Sequence, residues 1–233
     1  VRQLPKWFYN ENQQVGTDYT DIKEVQLYDQ RMERIRDIEK EVEDVKDAVN
    51  PRPNHSILEI GTGTGELAIA LSEHCGRVYA VDTSLTMLEA ARKKAQIRKR
   101  TNIEFLCGGF LSYQHQGRPL DAVISQLALH HLPDFWKLLA LKSIYSLLQP
   151  GGILYLRDVV FPSIANYYSY FSELIEEMRV SAGEIIAAEF ETHIREEFST
   201  LDWIMEGLLQ SAGFKIKNTA NESSFLACYV CEK

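Results

Sequence analysis

The run Ile57-Leu58-Glu59-Ile60-Gly61-Thr62-Gly63-Thr64-Gly65-Glu66-Leu67-Ala68-Ile69-Ala70-Leu71 constrains this chain more than any other stretch. It opens as a short apolar run of the kind buried inside a parallel sheet. Three glycines spaced two apart interrupt it, and Leu67, Ala70 and Leu71 then recur at helical spacing. Strand, tight turn and helix N-terminus, in that order, make a corner that admits a ligand against the backbone. Glycine suits such a turn because it adopts positive φ cheaply and puts no side chain between backbone and ligand. The helix beyond it presents unpaired N–H groups to the crevice.

Spacing decides between ligands. A dinucleotide corner reads G-x-G-x-x-G, with the third glycine three places after the second. Here Gly61, Gly63 and Gly65 run G-x-G-x-G, and Glu66 stands where a pyrophosphate would meet the helix. Glu59 closes the strand with another carboxylate. Two carboxylates beside the turn suit a sulfonium or an amine better than a phosphate.

Strand and helix patterns alternate from Ile57 to Asp158. Arg77–Val81, Ile103–Cys107, Asp121–Ser125 and Ile153–Asp158 read as further strands, and Ser84–Gln96 and Phe135–Leu148 as helices. Lys215–Thr219 and Phe225–Cys231 are joined by a short turn and pair antiparallel. The expected fold is α/β: a doubly wound, seven-stranded, mostly parallel sheet with an antiparallel last strand. Asp82 ends the second strand about twenty residues past the glycine turn, where an acid can accept both ribose hydroxyls of an adenosine. It could instead cap the following helix.

Glu59-Ile-Gly61-Thr-Gly63-Thr-Gly65 resembles the first motif of the class I S-adenosylmethionine-dependent methyltransferases, whose Rossmann-like order of elements also matches. The Gln126-to-Asp134 loop with His130 and His131 resembles that family's fourth motif, and Pro150-Gly151-Gly152 is another family mark. The ubiquinone/menaquinone methyltransferase-like branch is the nearest in character. The resemblance implies S-adenosyl-L-methionine as cofactor and a small-molecule methyl acceptor. It implies cofactor contacts at Glu59, Gly61, Thr62, Gly63 and Gly65, at Asp82 and Thr83, and at Gln126 and Leu127. Met87 matches the position that packs on the adenine. The junction after the third strand usually carries an Asp that meets the adenine amino group. Gly109 stands there instead, leaving the backbone and ring of Phe110 as contacts.

The flanks read as cover. Val25, Tyr28, Met32, Ile35, Ile38, Val42, Val45 and Val49 recur at threes and fours, predicting one helix from Asp21 to Val49. Residues 1–50 are thus a helical cap, with Tyr19 and Arg31 placed near the methionine end of the cofactor. Residues 51–233 are the core, and an insertion at about 161–197 carries an apolar stripe that would roof the acceptor side. Phe198–Leu201 reads as the start of a helix running to Leu209.

Methyl transfer needs a nucleophile in line, a dry site and, for some acceptors, a base. His131 is the first candidate base, and His193 or Asp158 the second. A loop histidine capping the next helix is the plainer role for His131. A non-catalytic S-adenosylmethionine- or adenosine-binding protein is the alternative, and a nucleotide-linked dehydrogenase the rival that the glycine spacing disfavours. A formal charge of −8 argues against a nucleic-acid partner. No apolar run reaches membrane-spanning length. The four cysteines read as cytoplasmic thiols, and no metal is expected, since Cys228-x-x-Cys231 lacks a second ligand pair.

Overall fold

In a computed structural model, the described residues are 5–13, Val25, Tyr28, Asp29, Met32 and 36–233. Tyr19 and Arg31 lie outside them. Five parallel strands form the core of the sheet: β1 (Ser56–Ile60), β2 (Arg77–Asp82), β3 (Ile103–Cys107), β4 (Leu120–Gln126) and β5 (Leu148–Phe161). After the two-residue β6 (Thr200–Leu201) come β7 (Lys215–Asn221) and β8 (Leu226–Glu232). β8 runs antiparallel to both β5 and β7. The order is β3-β2-β1-β4-β5-β8-β7. The chain switches direction between β1 and β4, so the crevice opens there, at the carboxyl ends of the strands.

Helices cover both faces. α1 (Ile38–Val49) and α2 (Glu66–Leu71) close one side, where Val45, Val49, Leu67 and Leu71 meet Ile57 and Tyr155. α3 (Leu85–Ile97) follows β2, and α4 (Asp134–Leu147) brings Leu141 and Ile144 to the opposite face of the sheet. The insertion is a helical hairpin, α5 (Tyr167–Ala182) and α6 (Glu184–Glu196), joined at Gly183. Arg179 ties its two arms through Glu184 and Glu191. α7 (Asp202–Ala212) packs beside α4.

Two expectations are corrected. The first is the single helix from Asp21 to Val49. Arg36 and Asp37 are not helical, and the Asp37 carboxylate accepts the Lys40 N–H at 3.0 Å, so α1 starts afresh at Ile38. The apolar period runs through this cap because Asp37 falls at a polar position in it. The second is the helix at Phe198. Thr200 and Leu201 extend alongside Val160 and Phe161, since β5 overshoots its neighbours and leaves an edge to be paired.

Cys228 and Cys231 belong to opposite faces of β8, one in each core layer. An odd spacing on a strand always has that result. The C-x-x-C pattern is therefore packing. Among the described residues, no helix is long and apolar enough to cross a membrane.

Candidate active site

The three glycines do different work. Gly61 and Gly65 both have φ of +81°; a Cβ on Gly61 would lie 2.4 Å from the Ala128 Cβ, and one on Gly65 2.8 Å from the Ala91 Cβ. These two let the Ala128 and Ala91 methyls close in. At Gly63, φ +53°, an added Cβ would make only ordinary contact, 4.0 Å from Tyr28. The Gly63 N–H donates to Asp82 Oδ2 at 2.8 Å, while Asp82 Oδ1 accepts the Ser84 N–H at 2.8 Å. Asp82 thus locks the turn to the start of α3. The helix is capped by Ser84, whose hydroxyl accepts the Met87 N–H. Burial lifts the Asp82 carboxyl above its usual range against these backbone bonds.

The two acids beside the turn differ as well. Glu59 is buried and accepts the Thr62 hydroxyl at 2.7 Å. Burial pushes it up to about 8, although the Thr62 bond and Arg36 oppose that. Glu66 instead pairs with Lys94 at 2.8 Å and Arg98 at 2.9 Å, so its charge is already matched. Of the two, Glu59 is the one not already matched by Lys94 and Arg98, and a cation entering the crevice would ionise it.

A cavity of about 650 Å³ runs along this corner. Glu59, Gly61, Thr62, Gly63, Asp82, Thr83, Met87, Gly109, Phe110, Gln126, Leu127 and His131 all border it. Gly65 lies behind the wall. Gln126 closes β4 with both atoms of its buried amide lacking a protein partner. Leu127 follows at φ +52°, a conformation that costs a bulky side chain energy and recurs at ligand sites.

The N-terminal segment runs over the same cavity. Phe8 stacks edge-on against Trp136 at 4.9 Å, the Tyr9 hydroxyl donates to the His131 carbonyl at 3.1 Å, and Glu11 accepts the Leu111 N–H at 2.9 Å. Tyr28, Met32 and Arg36 complete that wall. The insertion does not reach it. Tyr167 is stacked on Phe171, and His193 stands behind Glu197.

His130, His131 and His193 form one array, with His130 buried. The His130 peptide N–H donates to Asp158 Oδ2 at 3.0 Å, and its ring Nδ1 meets Asp158 Oδ1. Its Nε2 lies 3.2 Å from Glu197 Oε2, which also contacts His193 Nδ1; His193 Nε2 reaches Ser199 Oγ at 2.7 Å. Burial alone would lower His130, but the two carboxylates win and raise it to about 9. His131 is lowered to about 4, first by burial and then by the neighbouring His130. His130, His131 and Glu197 come within ligating distance of one another. With a carboxylate at each nitrogen of His130, the arrangement is one that shares protons. His130 backs into the carboxylates, and His131 is the one that borders the cavity.

The sequence marks Asp158 as a candidate base, and neither Glu197 nor Glu11 stands out in it. Glu197 could have been found from His193, four places earlier on the same helical face. Glu11 carries no local signal.

Comparison with known proteins bears on this crevice. Residues 57–152 match a methyltransferase domain family. An uncharacterized methyltransferase of Geobacillus kaustophilus (strain HTA426) is 30% identical over 218 residues, covering 91% of this chain and 95% of its own. The chain belongs to the class I S-adenosylmethionine-dependent methyltransferases. The demethylmenaquinone methyltransferase of Lactococcus lactis subsp. lactis (strain IL1403) is 30% identical over 68% of this chain and 65% of its own. The crystal structure of a SAM-dependent methyltransferase from Aquifex aeolicus superposes with a TM-score of 0.63 at 18% identity, covering 91% of this chain and 98% of its own. That last likeness is one of fold.

Proposed function

We propose that this methyltransferase holds S-adenosylmethionine from the glycine corner to Gln126 and methylates a small molecule seated between His131 and the N-terminal segment. The observation that carries this reading is the Gln126 amide, buried at the crevice with neither its donor nor its acceptor matched by protein. Such a group costs roughly 1–3 kcal/mol unless a ligand supplies the missing bonds. Asp82 is placed to accept the ribose hydroxyls through lone pairs its two backbone bonds leave over. Glu59 faces the cationic methionine end, and Arg36, already paired with Glu41, lines the same wall.

S-adenosylmethionine brings a methyl group already activated as a sulfonium, so the protein's work is to position and to dry. His131, neutral at physiological pH, can take the acceptor's proton. Burial and His130 disfavour the imidazolium so formed, and Asp158 and Glu197 offset only part of that. The N-terminal segment acts as the lid. Four free thiols, three of them buried, support a reducing, cytoplasmic setting.

Calorimetry with S-adenosylhomocysteine tests the reading. Binding that weakens by roughly tenfold or more in Gln126→Ala supports it. Equal affinity in the two proteins, both folded, overturns it.

A further inference from the structure

The turn after β3 lacks a side chain where a ligand would be held, and the N-terminal segment supplies one. Gly109 carries no Cβ, and an added one would lie 2.5 Å from Glu11 Oε2 and 2.7 Å from the Glu11 carboxyl carbon. The Glu11 carboxylate therefore occupies the volume that a residue-109 side chain would fill. One of its oxygens, Oε2, is held by the Leu111 N–H at 2.9 Å. The other, Oε1, is buried without a protein partner, and Glu11 borders the cavity together with Thr83 and Phe110. A buried carboxylate oxygen calls for an N–H or O–H donor. This one lies past Asp82 on the β3 side, where a nucleoside whose ribose rests on Asp82 would extend its base over Phe110.

We propose that Glu11 Oε1 accepts the exocyclic amino N–H of the cofactor's adenine, and that Gly109 is the space this contact needs. The inference rests on the S-adenosylmethionine reading above. It makes residues 5–13 part of the nucleoside pocket. Tyr9, two residues away, holds the His131 carbonyl. One short segment therefore touches both the base end and the acceptor end, and its docking is tied to occupancy of the cavity.

The test compares S-adenosylhomocysteine with its deaminated analogue, which carries a 6-oxo group in place of the amine. Calorimetry on the wild type should favour the amino ligand by roughly tenfold or more. Glu11→Ala should lose that preference by weakening the amino ligand alone. Adding Gly109→Asp to Glu11→Ala should restore it, because the carboxylate returns from the strand side. If Glu11→Ala does not fold, Glu11→Gln keeps the Leu111 bond and should still reduce the preference. An undiminished preference in Glu11→Ala, or in Glu11→Gln where that stands in, overturns the assignment and leaves the cofactor reading standing. A wild type that binds neither ligand overturns both.

Discussion

The two ends of the crevice are built differently. The nucleoside end is local: Gly61, Gly63, Asp82 and Ser84 lie on two consecutive βα turns, where the Asp82 carboxylate accepts the Gly63 and Ser84 N–H groups at 2.8 Å and the Gly61 N–H donates to the Val81 carbonyl at 2.8 Å. The acceptor end is assembled from afar. His130 comes from the loop after β4, Asp158 from β5, and Glu197 and His193 from the end of the insertion, 28 and more residues apart. A backbone-built end tolerates changes that keep its turns. A side-chain-built end depends on ionisable partners matching one another's charge. Substitutions should therefore fail by shape at the first and by charge at the second.

The largest effect should come at the acceptor end. Asp158→Asn leaves His130 with one of its two carboxylates, and loss of a partner from a buried pair costs about 3–5 kcal/mol. With Glu197 remaining, the lower figure is expected in urea unfolding. A loss near zero would mean that the array is not charged as described.

At the nucleoside end the glycines give the contrast. Gly61→Ala drives a Cβ into Ala128 in a strained backbone and should destabilise by roughly 2–4 kcal/mol. Gly63→Ala meets only ordinary contact with Tyr28, so stability should drop by only about 1 kcal/mol while cofactor affinity falls. Thermal unfolding and calorimetry on the pair would show shape at work, and equal stability losses would blur the comparison.

Asp82→Ala comes next. It should weaken S-adenosylhomocysteine binding by about 1–3 kcal/mol, the usual loss for a hydrogen bond to a charged group. Unchanged affinity would remove Asp82 from the ribose.

A pH slope follows from the same buried charges. Glu59 rises from 4.5 to about 8 on folding and His130 from 6.5 to about 9. A group whose pKa is raised contributes stability below its unfolded value and loses it as pH climbs through the folded one. The melting temperature of the ligand-free protein should therefore fall between pH 6.5 and 9. Glu59→Gln should remove the share lost below about 8. His131, lowered from 6.5 to about 4, works the other way: its stability is present above 6.5 and is lost as pH falls through 4. A profile that stays flat to pH 9 would contradict both raised groups.

This division also explains what could be read in advance. The glycine corner, the strand ends and Asp82 were legible because each is written in contiguous residues with a fixed period. β6 was not, since two residues make no pattern and Thr200 pairs only because β5 overshoots. The cap at Asp37 was hidden within an unbroken apolar period. Gly109 could be seen as a departure, but Glu11, which fills its space, lies 98 positions earlier and answers to nothing local.

The central claim is that both ends serve one site, and histidine NMR tests it most directly. With ¹⁵N-histidine protein, S-adenosylhomocysteine should shift the ring signals of His131, which borders the cavity, on the same curve that calorimetry gives. His115, engaged by Tyr113 and Arg118 away from the cavity, should stay still. Asp82→Ala should move the His131 titration to higher ligand concentration. A saturated protein in which His131 does not shift would show that the glycine corner and the histidine array are separate, and the account would fail.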